Sequence, residues 1–225
     1  MISVLKNSKI FQGLTADELE KVCQAVMPTE KEYCKNQIII NQGEPVHKIG
    51  ILKKGSAIST KYHFNGNAQI LRIYHQGEAL LLEAVNTTLL TSPVTLISQT
   101  DSVVVYVSYA EIVKEDAISP KIKEVIMSNC SEILSNELIR LMYKIDVLSK
   151  RTLRERILTY LSLIRERSGS GTFEIGMNQE QLAQYLCVNR SALSKELNQM
   201  RKSGLIDYKG NRFTVLSVDL ISKSK

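Results

Sequence analysis

The sequence predicts an α+β protein in three parts. These are an N-terminal antiparallel β-roll of double-stranded β-helix or jelly-roll type, a long dimerisation helix, and a C-terminal winged helix-turn-helix. Three observations carry the prediction. Glycines at 43, 55, 66 and 77 punctuate short β-rich runs, and many short strands at even spacing fold as rolls or barrels. Met127, Leu134, Leu141 and Leu148 recur every seven residues, the period of a helix that packs against a copy of itself. Two helices with N-cap signals then precede a pair of β-runs, the order of a winged helix-turn-helix. The expected parts are 1–117, 118–147 and 148–225.

A chain of 225 residues is long enough for two domains that each bury a core. Its 44% hydrophobic and 23% charged residues are ordinary for a globular protein. No apolar run approaches the roughly 20 residues that cross a bilayer, so no membrane partner is expected. The start, MISVLKNSKIFQG, lacks the apolar core and cleavage site of a secretory signal. Cysteines at 23, 34, 130 and 187 form no CxxC pair; they read as free thiols in a reducing compartment, and a cytoplasmic location is expected. The charge is uneven. Residues 148–225 hold 14 Lys and Arg against 7 Asp and Glu, while residues 1–147 hold 15 against 16. A basic C-terminal part on a neutral body implies a polyanionic partner for that part alone.

In the first part, Thr15-Ala16-Asp17-Glu18 has capping-box spacing, and the helix it starts carries Leu19, Val22, Cys23 and Val26 on one face. The runs QIII, HKIGIL, SAISTKYHF and AQILRIY read as strands, with Asn65-Gly66 as a hairpin turn. PVTLISQ and SVVVYVS read as a last strand pair turning at Thr100-Asp101. In the second part, Ser119-Pro120 fits a helix start. Met127, Leu134, Leu141 and Leu148 make one seam position; Ser131, Leu138 and Ile145 make the other. Ile122, Ile126, Ile133 and Ile139 form a second apolar stripe. A helix with two apolar stripes needs two neighbours, its own roll and a second copy of the chain, so a homodimer is expected.

In the third part, Arg151 to Arg167 reads as an amphipathic helix with Leu153, Ile157, Leu158, Leu161 and Ile164 inward. The SGSG run at 168–171 breaks it. Asn178, with Gln181 three residues on, starts a helix that ends near Leu186, and Asn189 caps another that stops at Ser203-Gly204. LIDY and FTVLSV then flank a Lys-Gly-Asn-Arg turn as a hairpin. The second of the two helices carries Arg190, Ser191, Ser194 and Lys195 on one face, with Ala192, Leu193 and Leu197 inward. An arginine there can pair with guanine O6 and N7, a lysine with a second guanine or a phosphate, and serines tolerate several bases. Asn189, Lys209 and Arg212 are placed for phosphate contacts, which position without specifying. Each residue alone is an ordinary exposed polar group. Together, on a basic domain, they imply double-stranded DNA.

With these residues in view, the chain resembles the Crp/Fnr family of regulators. The resemblance runs through IFQGLTADEL, NQGE, SPVTLISQTDSVVVYVS and MNQEQLAQYLCVNRSALSKELNQMRKSGLI, nearly the whole length. It implies a cyclic-nucleotide-binding-type roll, a dimerisation helix, palindromic DNA sites, and an effector that reorients the recognition helices. The family's base-reading arginine falls on Arg190 and its second basic reader on Lys195. The glutamate between them falls on Ser191, so the half-site should differ from the TGTGA type while keeping a guanine opposite Arg190. The turn glycine between the two helices falls on Cys187, where a left-handed backbone would cost roughly 1–2 kcal/mol; a small buried side chain is expected there.

The effector expected from the resemblance changes in this sequence. The Gly-Glu pair that meets the ribose and phosphate of cyclic AMP falls on Leu81-Leu82, the Arg-Ser pair on Ser92-Pro93, and the hydroxyl pair that meets adenine on Glu137-Leu138. A phosphate there would be buried with no cation to pair it. The cysteines do not match the family's iron–sulfur cluster, and His47, His63 and His75 do not have metal-ligand spacing; no cofactor is expected. Leu80, Leu81, Leu82 and Glu83, with Leu134 and Leu138, make a candidate pocket for an apolar small-molecule effector, or plain core with no effector. The Ser168–Phe173 loop matches where family members meet RNA polymerase. A second reading is a sensor that regulates a protein partner instead of DNA. No nucleophile–base arrangement or phosphate-cradling loop points to an enzyme.

Overall fold

A computed structural model of the chain describes residues 2–63, 66, 68–85, 87–114 and 116–216. The chain forms two compact units, Met1–Leu138 and Ile139–Lys225. The division falls inside the long helix.

The first unit opens with α1 (Ile2–Lys6), a 3-10 turn at Lys9–Phe11 and α2 (Ala16–Val26). The sequence reading missed α1, which at five residues is too short to leave a period. α2 starts with the expected capping box. The Thr15 hydroxyl accepts from the Glu18 amide, and the Glu18 carboxylate accepts from the Thr15 amide at 2.9 Å. Leu19, Val22 and Val26 are buried, and Cys23 is half-buried.

Eight strands follow: β1 (Thr29–Tyr33), β2 (Ile38–Ile40), β3 (Ile49–Lys54), β4 (Ala57–Tyr62), β5 (Ala68–Tyr74), β6 (Ala79–Leu80), β7 (Thr95–Ser98) and β8 (Ser102–Val107). They form two antiparallel sheets, in the orders β1-β8-β3-β6 and β2-β7-β4-β5. Gly43, Gly55, Gly66 and Gly77 all have positive φ, the backbone freedom that turns between short strands require. At Gly55 a Cβ would also lie 2.7 Å from the Asp101 carbonyl oxygen. β4 and β5 pair as the hairpin expected, while Asn65 of its turn lies outside the described residues.

Two strand assignments change. β7 and β8 are not a pair. β7 bonds to β2 and β4, and β8 to β1 and β3, so the chain switches sheets at Thr100-Asp101. Alternation along a strand reports which face is buried, not which strand lies beside it. β1 was missed because TEKEY is exposed at all but Tyr33 and carries no apolar period.

After α3 (Tyr109–Lys114) comes α4 (Pro120–Ser149), with Pro120 at its first position as expected. Ile122, Ile126 and Cys130 are buried in the core of the roll, and Ile133 packs on it half-buried. Ile139 departs from the expected stripe and is 49% exposed. It lies thirteen residues beyond Ile126, about 220° round the helix at 100° per residue, and Cys130 takes the core position instead. The Asn129 amide donates to the carbonyls of Ile10 and Gln12, at 3.0 and 2.8 Å, and ties the helix to the N-terminal turn.

The second unit contains the end of α4, then α5 (Leu153–Ser168), β9 (Thr172–Glu174), α6 (Gln179–Tyr185), α7 (Arg190–Lys202), β10 (Ile206–Lys209) and β11 (Arg212–Val215). α5 begins at a second capping box, Thr152 with Glu155. Its buried face is Ile157, Tyr160 and Leu161, with Leu153, Leu158 and Ile164 at the margin. The C-terminal hairpin has a third strand, in the order β10-β11-β9. The expected Ser168–Phe173 loop is therefore shorter: Thr172 and Phe173 pair with Thr214 and Phe213. Three residues are too few to show alternation, and Phe173 is held by burial. Ser217 and Val218 of the FTVLSV run lie outside the described residues. Among the described residues, no helix is long and apolar enough to cross a membrane.

Candidate nucleic-acid interface

α7 is placed by one apolar stripe. Leu193, Leu197 and Met200 are fully buried, at i, i+4 and i+7. Arg154 of α5 bonds Glu196 of α7 at 2.6 Å. The Arg156 guanidinium donates to the carbonyls of Lys150 and Leu186, at 3.1 and 3.4 Å, which fixes the turn before α7. α6 starts on the expected Asn178–Gln181 capping box. Asn189 is the N-cap of α7 by backbone conformation, but its side chain makes no cap hydrogen bond.

Opposite the stripe, Arg190, Ser191 and Lys195 are exposed, and Ser194 is half-buried at the edge. Ala192, expected inward, is exposed. One residue before Leu193 it sits about 100° from the buried line. Gln199, a turn beyond Lys195, extends the exposed line, and beside it Asn198 accepts a 3.2 Å hydrogen bond from the Tyr208 hydroxyl. The sequence reading missed both; continuing the Ser191–Lys195 spacing by four would have found Gln199. The Arg190 Nε lies 3.8 Å from the Glu180 carboxylate, an exposed and weak pair. Lys209 and Arg212 are exposed and directly opposed across the β10–β11 hairpin. Facing like charges destabilise a hairpin and suit an anionic partner.

Cys187, in the turn between α6 and α7, has φ +58°, the left-handed conformation that glycine adopts without strain. It is exposed, not buried as expected, while the preceding Leu186 fills the core. Cys187→Gly relieves roughly 1–2 kcal/mol of strain against about 0.5–1 kcal/mol of added chain entropy. We expect a net gain of up to about 1.5 kcal/mol in denaturant unfolding of this unit. Cys187→Ala, which keeps the strain, should bring none.

Lys144 near the end of α4 is 4% exposed, and its ammonium lies 3.9 Å from the Tyr185 ring centroid. Burial, the largest influence, lowers its pKa to about 7; Cys187 opposes this and Arg140 adds to it. The ring face favours the ammonium form, but loss of water outweighs it. The folded pKa then lies below the unfolded value of about 10.4. Between those values the unfolded chain binds the extra proton, so stability rises with pH from about 7 to about 10. Melting curves of the wild type should rise across this window relative to Lys144→Met, which has nothing to titrate there. Parallel curves would mean an unperturbed lysine.

In the first unit, the sequence-matched effector position holds charge. Arg72 on β5 bonds Glu78 at 2.6 Å and Glu137 of α4 at 2.7 Å, and its guanidinium stacks 4.4 Å from the Tyr74 ring centroid. Burial alone would lower its pKa, but Glu78 and Glu137 outweigh this and raise it. Tyr74 is buried, and burial first, then the Glu83 charge, pushes its hydroxyl far up. Leu80, Leu81 and Leu82 are buried in the core. Glu83 beside them is exposed. Leu134 and Leu138 instead flank an open groove of about 350 Å³ with Tyr109, Met127, Cys130, Ser131 and Ser135. Burial pushes the Cys130 thiol up to about 11. His47, His63 and His75 are exposed. Among the described residues, no three His, Cys, Asp or Glu side chains come together as metal ligands.

A roll of two antiparallel sheets, a long helix, and a basic winged helix-turn-helix define a DNA-binding transcription regulator. Residues 30–115 match the family model described as a cyclic nucleotide-binding domain, and residues 155–222 the Crp-like helix-turn-helix domain. The chain belongs to the Crp/Fnr family of transcription regulators. Electron transport regulator A of Shewanella oneidensis is 23% identical over 208 residues, covering 90% of this chain and 80% of that protein. Among solved structures, the c-di-GMP responsive global regulator CLP of Xanthomonas campestris superposes with TM-score 0.74 at 16% identity, over 91% of this chain and 100% of that one. FixK2 of Bradyrhizobium japonicum superposes with TM-score 0.65 at 19% identity, over 87% and 96%. At such identities these structures speak for the fold.

A cyclic nucleotide does not fit the residues present. Leu81, at the position matched to the family's glycine, keeps a left-handed φ of +59° but fills the space with a side chain only 5% exposed. The Ser92 hydroxyl donates to the Val94 carbonyl at 2.6 Å, and Pro93 brings no cation. The guanidinium that the structure brings to Glu137 is that of Arg72. It is engaged by two carboxylates, and with Glu83 the surroundings hold three carboxyl groups to one guanidinium. A phosphate would be repelled there.

Proposed function

We propose that the chain acts as a homodimer that reads a palindromic promoter site through α7, with no cyclic nucleotide as effector. The observation that carries this is the exposed face of α7. Arg190, Ser191 and Lys195 stand out over the buried Leu193, Leu197 and Met200, in the part of the chain with twice as many basic as acidic residues. Arg190, Ser191, Ser194 and Lys195 read bases; Asn189, Lys209 and Arg212 hold phosphates. The division of labour is a sensor roll over 1–117, a dimerisation helix over 118–147 and a reading domain over 148–225. The seam is Met127, Leu134, Leu138, Leu141, Ile145 and Leu148. Four of these are exposed large apolar side chains in the single chain, Leu138 at 61% and Ile145 at 67% among them. Such a row on one helix calls for a partner, and heptad spacing makes that partner a second copy. The effector is an apolar small molecule held by the groove at Leu134 and Leu138, or is absent. The Ser168–Phe173 segment, of which Thr172 and Phe173 are in β9, is the part we assign to RNA polymerase.

The test is sequence selection from random DNA, followed by Arg190→Ala. The variant should lose about 1–3 kcal/mol of specific binding, roughly 5- to 150-fold, and tolerate any base at one guanine of each half-site. Replacing Lys209 or Arg212 should weaken all sequences alike and flatten the salt dependence by about one ion each. If Arg190→Ala kept full base preference, α7 would not be the reading element.

A further inference from the structure

The misfit of a cyclic nucleotide leaves a question: what joins the roll to the long helix in its place? Arg72 is on β5, Glu78 on the turn between β5 and β6, and Glu137 on α4. One guanidinium thus links three segments, through its Nη2 to Glu78 and its Nη1 to Glu137. It is well shielded, at 17% side-chain exposure, with Glu137 at 19%. The Glu78 carboxylate also accepts from the His75 amide at 2.7 Å, and the Tyr74 ring covers the guanidinium face. Both ends of the arginine are therefore held in place, which is what separates a shielded ion pair from a mobile surface one. Glu137 stands where the resemblance puts one of the two hydroxyl residues that meet the adenine of a bound nucleotide.

We propose that the Glu78–Arg72–Glu137 triad is a built-in substitute for the cyclic nucleotide: it clamps α4 to the roll without a ligand, so that the regulator is competent for DNA without one. Arg72 is a positioning residue, acting on DNA through α4. This deepens the reading of the chain as a DNA-binding dimer and rests on it, so the test needs one readout that does not depend on DNA.

That readout is amide hydrogen exchange over residues 130–140 in the full chain, free of DNA. Arg72→Gln and the near-isosteric Glu137→Gln should each speed exchange there at least tenfold while leaving α7 unchanged. Arg72→Lys, which keeps the charge, should restore part of the protection. On selected DNA, the wild type should bind without added ligand, and 1 mM cyclic AMP or cyclic GMP should neither change its affinity nor release heat. The two Gln variants should bind specific DNA at least tenfold more weakly, with unchanged non-specific binding and unchanged dimer. Unchanged exchange in both variants, or saturable binding of either nucleotide to the wild type, overturns the clamp. Faster exchange in a protein that selects no DNA sequence would keep the clamp and overturn the DNA reading instead. A variant that melted outright would be judged by Glu137→Gln alone, which removes one charge and no atoms from the packing.

Discussion

Replacing Leu134 and Leu141 by glutamate is expected to turn the proposed dimer into monomers. Leu134 is 39% exposed in the single chain and Leu141 half-buried, so each protomer tolerates a carboxylate at both positions. Across a two-fold seam the same positions face their own copies. Each new carboxylate would be buried without a partner, next to a like charge. An uncompensated buried charge costs at least about 3 kcal/mol, and 1.4 kcal/mol is a factor of ten in the dissociation constant. The double variant should therefore dissociate at concentrations a hundred-fold or more above the parent's. Sedimentation at a series of concentrations reads this directly, with melting of the roll as a control for folding. A double variant that sedimented as the parent dimer would place the interface elsewhere on the chain.

The second large effect is expected at Leu193→Ala. Leu193 is completely buried in the stripe that seats α7, and α7 packs on both α5 and α6. Removing a buried leucine side chain to alanine costs about 2–5 kcal/mol, depending on how far the site collapses. In a unit of this size each kcal/mol is worth roughly 4–8 °C. Calorimetry should show the transition of the second unit lowered by about eight degrees or more, with that of the roll unmoved. DNA binding should fall with the folded fraction of that unit. Ser191→Ala, on the opposite face of α7, should leave the melting unchanged. A Leu193→Ala variant that melted like the parent would mean α7 is seated by its ion pairs, chiefly Arg154–Glu196, instead of by packing.

Local signals carried well from sequence to structure. Capping boxes at Thr15 and Asn178, the proline at position 120 and the glycines that punctuate the roll are each set by neighbours a few residues away, and each sits where its local chemistry requires. The inward stripe of α7 was legible for the same reason, a 3.6-residue period, although Ala192 fell on its wrong side. What the sequence could not reveal was set at long range. β7 and β8 adjoin in sequence and belong to different sheets, because alternation marks a face and leaves the partner strand open. β1 and β9 owe their strands to the neighbours they bond. Cys187 is exposed in its strained turn, while the preceding Leu186 fills the core.

The same division holds for the functional features. By itself, the sequence determined a basic helix-turn-helix with Arg190 and Lys195 on the outside, since charge and helical period are properties of a short segment. The resemblance, also read from sequence, set Leu81-Leu82 where family members meet the nucleotide's phosphate. Only the tertiary structure decided which charged groups meet between the roll and the long helix. Arg72 and Glu137 are 65 residues apart, and no period or spacing joins them. They meet because β5 and α4 are brought together by the core of the roll, where a shielded guanidinium must find carboxylates or stay in water.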